Sequence, residues 1–341
     1  MSTTTTPLSP SPQELVIKSK TKSLRTFALY PILIPLLYFA LRNAPLADIW
    51  NTVNQLKLWQ IATLAAINIM MYLLVTLRWW IIVRAGNKTI SYFPLVLVRV
   101  AVFGLSYFTL GPQIGGEPLQ VFYLQRKYGM TYTRATSTVI MDKLLEFLAN
   151  FFLLVIGLTA IGQTGIFSTN ESRPLVSLIP MAAILLWPFI HIALMVRSVY
   201  PVGAALRAAF SRFGIPKWIR FIIVAERMAG LFCQRNPRAL WLATAASLAA
   251  GAGMISEYML ITSFLGVNLH SWQTVAGWAT SWLAFLVPLP GGLGALEASQ
   301  VFTLGAFEIS AALALSVALL IRARDLLIGG FGLLLASRGV R

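Results

Sequence analysis

Two glycine-rich segments, 111–118 and 288–297, interrupt apolar stretches in opposite halves of this 341-residue chain, and each contains a glutamate. Glycine-rich backbone lets a ligand approach closely, and a helix that starts after such a segment directs its positive end at an anion. Glu117 and Glu297 would therefore either contact an arginine or a lipid amine, or cap the helices that follow them. The glycines best placed to approach a ligand are Gly115, Gly116, Gly291 and Gly292.

Each of these glutamates is followed, at the same spacing, by a charged residue in an apolar run. The spacing is 25 residues in both halves, to Asp142 in the first and to Arg322 in the second (142 − 117 and 322 − 297). Paired Gly/Pro breaks in corresponding positions of two halves indicate the binding site of a membrane transporter.

An acidic residue lies one helical turn beyond each of these charges. Asp142 and Glu146 are four residues apart, and Arg322 and Asp325 are three apart, so each pair shares one face of a helix. A charge inside a membrane span costs about 2.5–3.5 kcal/mol, so it faces a cavity or a partner. Lys143, beside Asp142, is expected to point elsewhere.

Alternative roles remain open for these charges. Arg322 lies roughly 18 Å into its apolar run at 1.5 Å per residue, where it either holds a lipid phosphate or forms a structural pair with Asp325 or Glu297. Asp142 and Glu146 either line a cavity or snorkel to the membrane interface.

Composition identifies the chain as an integral membrane protein. It is 57% hydrophobic and 11% charged, with a mean hydropathy of +0.75, whereas soluble domains carry about 25% charged residues. A net charge of +16 is more typical of lipid-facing cytoplasmic loops than of nucleic-acid binding. The single cysteine excludes an intramolecular disulfide and a cysteine-cluster metal site, and the two histidines are too few and too far apart in the sequence for a histidine-based metal centre. No P-loop and no nucleophile–base pair is present, so we expect no cofactor and no catalytic activity.

Apolar runs of about 20 residues, the length that spans a bilayer, predict six spanning helices. They lie near 27–42, 58–79, 137–161, 175–196, 239–264 and 310–335. Two further apolar stretches, 91–109 and 273–290, run into the glycine-rich breaks. The distribution of Lys and Arg places both termini in the cytoplasm, and it assigns Arg78, Arg126 and Lys127 to cytoplasmic loops.

This charge distribution makes 91–125 enter and leave the membrane on the same side. The predicted fold is therefore all-α: a polytopic membrane protein with about six spanning helices and two re-entrant hairpins in an inverted repeat. The alternative is eight plain spans. Irregular backbone at membrane depth must line a cavity or be buried in protein, so the re-entrant arrangement also predicts a polar cavity.

The chain divides into a tail and one membrane domain. Residues 1–26 are polar and basic, which predicts a disordered cytoplasmic tail, and 27–338 form a single transmembrane domain. Its halves are about 58–196 and 239–338, joined by the basic segment 197–238. That segment is either an interfacial helix on anionic headgroups or a solvated linker.

A set of motifs in a fixed order resembles a known family. The motifs are Gly115-Gly116-Glu117-Pro118, Arg126-Lys127-Tyr128-Gly129, Asp142-Lys143-Leu144-Leu145-Glu146, Pro290-Gly291-Gly292-Leu293-Gly294 with Glu297, and Arg322. Over about 25–338 the chain resembles the integral membrane domain of bacterial lysylphosphatidylglycerol synthase/flippase proteins and their stand-alone relatives. It departs from the family pattern at Ala295-Leu296, where an arginine often precedes the glutamate, and in the additional Asp325.

The resemblance implies that a phospholipid or another amphiphilic lipid moves between leaflets of the cell membrane. The aminoacylating cytosolic domain of two-domain members is not expected here, because the sequence ends just past the last span. The expected partners are membrane lipids and a lipid-synthesising enzyme, without nucleic acid. The candidate lipid-binding residues are Gly115, Gly116, Glu117, Arg126, Asp142, Glu146, Gly291, Gly292, Glu297, Arg322 and Asp325.

Two other classes of function fit the same motifs. One is a membrane-embedded enzyme that acts on a lipid such as a polyprenyl phosphate, with Asp142, Glu146 or Glu117 as its base. The other is an accessory subunit that holds a lipid-modifying partner. A neighbouring synthase gene would favour transport, whereas a neighbouring glycosyltransferase gene would favour one of these two.

The re-entrant arrangement predicts which side of the membrane reaches position 126. In a variant that lacks Cys233, a cysteine at position 126 should react with a membrane-impermeant thiol reagent only from the cytoplasmic side. Labelling of intact cells and inverted vesicles measures this. Reaction from the outside alone would show that 91–125 crosses the membrane.

Overall fold

The computed structural model describes residues 46–86, 89–108, 115–164, 186–211, 215–287 and 292–338, and within these ranges all regular elements are helices. They are α1 Leu46–Asn54, α2 Leu58–Gly86, α3 Tyr92–Tyr107, α4 Glu117–Tyr128, α5 Tyr132–Gln163, α6 Leu186–Val196, α7 Pro201–Ala209, α8 Lys217–Arg235, α9 Pro237–Phe264, α10 Ser271–Ala284, α11 Ala295–Gly305 and α12 Ala311–Ser337. The predicted all-α class is confirmed.

Three of these helices, α2, α5 and α9, are long and apolar enough to cross a membrane, and the bent pair α6–α7 makes up to four. The last helix, α12, has 27 residues but carries Arg322, Arg324 and Asp325. The predicted span 27–42 lies outside the described residues, as do positions 175–185 of the predicted span 175–196. The chain is a multi-pass membrane protein, as its composition predicts.

The first glycine-rich break joins two helices that fold back on each other. The Gly116 backbone N–H donates to the Ser106 hydroxyl at 2.9 Å, although ten residues separate them. A Cβ on Gly116 would lie 2.3 Å from the Val102 carbonyl oxygen of α3, so only glycine permits this approach. Helices α3 and α4 therefore form a hairpin, whose tip at 109–114 lies outside the described residues.

The second break forms a matching hairpin from α10 and α11. The Gln300 side-chain amide donates to the Ser281 hydroxyl at 2.7 Å, and the Thr303 hydroxyl donates to that of Thr280 at 3.0 Å. The arms of the two hairpins have 16, 12, 14 and 11 residues. At 1.5 Å per residue the longest arm is about 24 Å, shorter than the ~30 Å hydrocarbon core. This length favours re-entrant hairpins over eight plain spans.

The two halves have opposite orientations because their first long helices, α2 and α9, are antiparallel. From one end of their crossing to the other, the contacts pair Trp59 with Phe264, Asn68 with Glu257, and Arg78 with Ser247. Each of these helices leads into a hairpin and then into a long helix, α5 or α12. The order of elements thus repeats in inverted orientation, as predicted.

The basic segment between the halves turns sharply away from the preceding helix. Helices α6 and α7 meet at 94°, and the buried Glu226 of α8 accepts hydrogen bonds from the first backbone N–H groups of α7 and lies 2.9 Å from His191. Helix α8 buries Ala229 and Cys233 against α5, while its arginines are exposed. Burial raises the pKa of the Cys233 thiol to about 11, so this thiol stays protonated and reacts slowly.

Each hairpin packs its first arm on the long helix of the other half, through small residues. A Cβ on Gly332 of α12 would lie 2.2 Å from the Val100 carbonyl oxygen of α3. In the other half, a Cβ on Gly157 of α5 would lie 2.4 Å from the Ala279 Cβ of α10. Small residues at such crossings let helix backbones approach closely in a membrane.

This packing predicts opposite effects of alanine at two neighbouring glycines of α12. Both substitutions gain the helix propensity of alanine, about 1 kcal/mol. Gly332→Ala should nevertheless lower the thermal unfolding temperature in detergent, because its methyl group meets α3 backbone. A Cβ on Gly330 meets nothing within 4 Å, so Gly330→Ala should leave that temperature unchanged or raise it. Equal unfolding temperatures for the two variants would show that the α3–α12 contact tolerates a methyl group.

Candidate functional site

A cavity of about 250 Å³ lies between the two halves, enclosed by α2, α3, α5, α9, α10 and α12. Part of its wall is apolar and aromatic, including Phe103, Trp278 and Phe285. The rest is charged, with side chains that come from both halves: Arg78, Arg99, Lys143, Glu146, Glu257, Arg324 and Asp325. The polar cavity that the glycine-rich breaks predict is present, and we call it the central cavity.

The charges from the first half form one compact network, which we call the first cluster: Arg78, Arg99, Asp142, Lys143 and Glu146. Arg78 binds Asp142 at 2.6 Å and Glu146 at 2.7 Å, and Arg99 binds the same two carboxylates at 2.7 Å each. Asp142 is fully buried, so it does not snorkel to the interface. Four groups that would be costly alone in an apolar span thus neutralise one another.

The second cluster comprises Asn68, Glu257, Arg324 and Asp325. Arg324 of α12 forms ion pairs with Glu257 of α9 and, at 2.8 Å, with Asp325. The other oxygen of Glu257 accepts a hydrogen bond from the Asn68 side-chain amide at 2.5 Å. The Arg324 side chain is 25% exposed, the largest exposed fraction among the cavity arginines in ion pairs, so it is the one best placed to meet a ligand.

The glutamate of each hairpin accepts a hydrogen bond from a glycine N–H and pairs with a cation. Glu117 accepts a hydrogen bond from the Gly115 N–H at 2.7 Å and lies 3.3 Å from the Lys143 ammonium. Glu297 accepts one from the Gly294 N–H at 3.0 Å and binds Arg322 at 2.6 Å. Gly294 is the N-cap of α11, so Glu297 combines the two roles that the sequence left as alternatives. Gly115 precedes the N-cap of α4, Gly116, so Glu117 pairs with a cation without capping that helix. Gly294 has a φ of +80°, a backbone conformation that favours glycine.

Several members of the two clusters are related by a shift of 179 residues, one fewer than the shift that relates Glu117 to Glu297 (297 − 117). The shift relates Arg78 to Glu257, and Asn68 to Ser247 (257 − 78 and 247 − 68). It therefore exchanges the Arg78–Ser247 contact with the Asn68–Glu257 contact. The same shift relates Lys143-Leu144-Leu145-Glu146 to Arg322-Ala323-Arg324-Asp325. In the first half, helix α2 supplies the cation Arg78, whereas in the second half the equivalent helix α9 supplies the anion Glu257.

The structure brings four of the candidate residues to this region. Glu146 and Asp325 line the central cavity, Asp142 supports its wall, and Glu117 contacts the first cluster through Lys143. Arg322 is buried and lies outside the lining, and its guanidinium binds Glu297 and, at 3.4 Å, the Gly292 carbonyl oxygen. Its suggested partner Asp325 instead binds Arg324.

Two candidates lie elsewhere or are not described. Arg126 is exposed at the end of α4, with its guanidinium 5.9 Å from the centre of the Phe122 ring, and it does not line the central cavity. Gly291 lies outside the described residues. The expectation that Lys143 points away from the acids is wrong, because it lies 2.9 Å from Glu146.

Besides Asn68 and Lys143, the sequence analysis missed four residues of the clusters: Arg78, Arg99, Glu257 and Arg324. Arg78 was assigned to a cytoplasmic loop, but α2 continues to Gly86 and the Arg78 side chain is 2% exposed. Arg78, Arg99 and Glu257 each stand alone in an apolar run, and that isolation was the signal available, whereas Arg324 lies between Arg322 and Asp325. A lone charge at membrane depth implies a partner, which one sequence cannot identify.

Comparison with known proteins gives one match. Residues 27–332 match the family described as "Lysylphosphatidylglycerol synthase TM region", which confirms the resemblance in the motifs. No curated protein matches the chain. No solved structure matches it either.

The Arg322–Glu297 pair predicts unequal costs for its two partners. Glu297→Gln leaves a cation that is 2% exposed without its anion, whereas Arg322→Gln leaves an anion that is 19% exposed. Removing the partner of a buried charge costs about 3–5 kcal/mol, so Glu297→Gln should reach this range and Arg322→Gln should cost less. SDS-induced unfolding in mixed micelles measures both free energies.

The double variant and a surface variant complete this test. Arg322→Gln/Glu297→Gln should cost less than the sum of the two single substitutions, because the pair is lost as a unit. Arg126→Gln, at an exposed site, should change the free energy of unfolding by less than about 0.5 kcal/mol. Strict additivity of the two single effects would show that the two side chains are not energetically coupled.

Proposed function

Since the chain belongs to the lysylphosphatidylglycerol synthase transmembrane-region family, we propose that it moves a phospholipid or another amphiphilic lipid between the leaflets of the cytoplasmic membrane. In this proposal both termini are cytoplasmic, and a lipid-synthesising enzyme supplies the substrate. The family supports a role connected with membrane lipids, and the geometry of the central cavity supports transport.

The observation that carries the proposal is the mixed lining of the central cavity. A headgroup with a phosphate needs hydrogen-bond donors and charge at membrane depth, which Arg324, Arg99 and Lys143 provide. Acyl chains need an apolar surface, which Phe103 and Trp278 provide. A cavity that held only ions would not need the aromatic wall.

The ion pairs supply exchangeable partners for a headgroup. A phosphate that binds the Arg324 guanidinium takes the place of Glu257 or Asp325, and the exchange keeps the number of opposite charges around the arginine constant. Arginine binds phosphate and carboxylate with the same bidentate geometry. A headgroup can therefore enter without leaving a buried arginine unpaired, which limits the desolvation cost of binding.

The inverted repeat provides two charged clusters for this exchange of partners, one in each half. The first cluster belongs to one half and the second cluster to the half of opposite orientation. If rocking of the halves opens the cavity alternately to each leaflet, as in other inverted-repeat transporters, each cluster faces its own leaflet in turn. A lipid headgroup would then pass from one cluster to the other while its chains follow the apolar wall.

Transport fits the central cavity better than catalysis. Of the three carboxylates that would serve as a base, Asp142 and Glu146 are each bound by two arginines at 2.6–2.7 Å. The third, Glu117, lies 3.3 Å from the Lys143 ammonium. Carboxylates held in this way act as fixed anions. The proposal therefore assigns Asp142 and Glu146 to positioning of their two arginines, with no covalent step.

A scrambling assay tests the proposal directly. The purified chain is reconstituted in liposomes with trace fluorescent lipids, either phosphate-bearing or without phosphate, and a quencher reports the fraction in the outer leaflet. The wild type should move at least one phosphate-bearing lipid faster than empty liposomes do. Arg324→Gln should slow this movement by about tenfold or more, because a charge-assisted hydrogen bond contributes about 1.5–3 kcal/mol.

Two variants control for folding and for surface charge. Arg324→Lys keeps the positive charge and should retain more activity than Arg324→Gln at equal unfolding temperature. Arg126→Gln removes a positive charge outside the cavity and should scramble at the wild-type rate. A wild-type rate in Arg324→Gln would remove this arginine from the pathway. No movement of any lipid by the wild type would instead favour an accessory subunit.

A further inference from the structure

A second hollow, at the surface of the molecule, shares no lining residue with the central cavity. It has a volume of about 680 Å³ and lies where the end of α2 meets the junction of α8 and α9. Its lining includes Arg84, Arg235 and Arg238, together with Trp80. We call it the arginine groove.

The arginine groove differs from the central cavity in its charge balance. None of the described residues that line it is acidic, and within the described part of the chain its three arginines form no ion pair. All three side chains are exposed. The Arg84 guanidinium lies 4.5 Å from the centre of the Trp80 ring, a cation–π contact that holds it in place while its N–H groups remain available. The groove therefore carries three uncompensated positive charges.

Backbone donors add to these charges. Helix α9 starts in the groove, with Asn236 as its N-cap and Pro237 in its first turn, and no side chain caps it. The N–H groups of Arg238 and Ala239 have no partner within the helix, and the helix dipole adds positive potential there. This helix end reinforces a site that the three arginines already define.

The position of the groove suits a lipid headgroup. Trp241 of α9, one turn from Arg238, is 74% exposed, and the neighbouring Leu242 is 61% exposed. Tryptophans of membrane proteins are enriched at the level of the headgroups. An acyl chain can pack on this apolar surface while the headgroup occupies the groove. Basic pockets between helices on the cytoplasmic side are typical binding sites for anionic lipids.

We propose that the arginine groove binds the phosphate of an anionic lipid headgroup with two negative charges, such as phosphatidic acid, as a site separate from the central cavity. Three arginines with bidentate donors match a doubly charged phosphate better than a single phosphodiester. The lipid joins α2 to the α8–α9 junction, and thereby holds the basic segment against the first half of the domain.

The test measures lipid binding by the full chain and does not involve transport, so it is independent of the scrambling assay. Native mass spectrometry in detergent gives the apparent Kd for phosphatidic acid. The groove variant is Arg84→Gln/Arg235→Gln/Arg238→Gln. The matched control, Arg207→Gln/Arg220→Gln/Arg227→Gln, removes three exposed arginines from the same basic segment outside the groove. If the groove variant does not accumulate, Arg235→Gln/Arg238→Gln replaces it.

We expect the groove variant to bind phosphatidic acid at least about tenfold more weakly than the wild type, given the contribution of each basic residue at a membrane surface. The control should bind within about twofold of the wild type, since its arginines do not share one site. Equal losses in both variants would reduce the effect to general electrostatic attraction and overturn the proposal. Inorganic phosphate should not displace the lipid at equal concentration, and displacement would assign the groove to soluble phosphate instead.

Discussion

The structure depends on one constraint: a charge in the interior of an apolar bundle requires an opposite charge from another helix. Arg78 and Arg99 are bound by Asp142 and Glu146, and these contacts tie α2 and α3 to α5. Arg324 in turn ties α12 to α9 through Glu257. Leaving one of these partners unpaired would cost several kcal/mol, so the ion pairs fix which helices are neighbours. The apolar surfaces then pack around them.

Because of the inverted repeat, these paired charges lie around a cavity between the two halves. The two halves place equivalent positions on opposite sides of the α2–α9 crossing, and the charges there have opposite signs, Arg78 in one half and Glu257 in the other. The central cavity lies between two clusters that are related in geometry and inverted in part of their charge. A binding site of this kind offers a polar headgroup cations and anions from both halves.

Features set by local sequence could be predicted, and those set by contacts between distant segments could not. The boundaries of α9 and α12 follow from apolar run length, and the two hairpins follow from their glycines. The contact between Glu297 and Arg322 was one of two stated options. The partners of Arg78 and Glu257 are 64 and 67 residues away, at Asp142 and Arg324. The rule that places arginines in cytoplasmic loops assigned Arg78 wrongly, since burial with two acids outweighs that tendency.

The exchange of hairpin arms between the halves has a consequence for biosynthesis. Gly104 of α3 packs against Gly332 of α12, which is translated 228 residues later (332 − 104). At a translation rate of about 5–20 residues per second, the first hairpin is in the membrane for roughly 10–50 s before α12, the helix that packs on it, is synthesised. Arg99 can meet Asp142 and Glu146 soon after insertion, because α5 follows within the same half. We therefore expect the early ion pairs to hold the first half together until the ribosome completes the second.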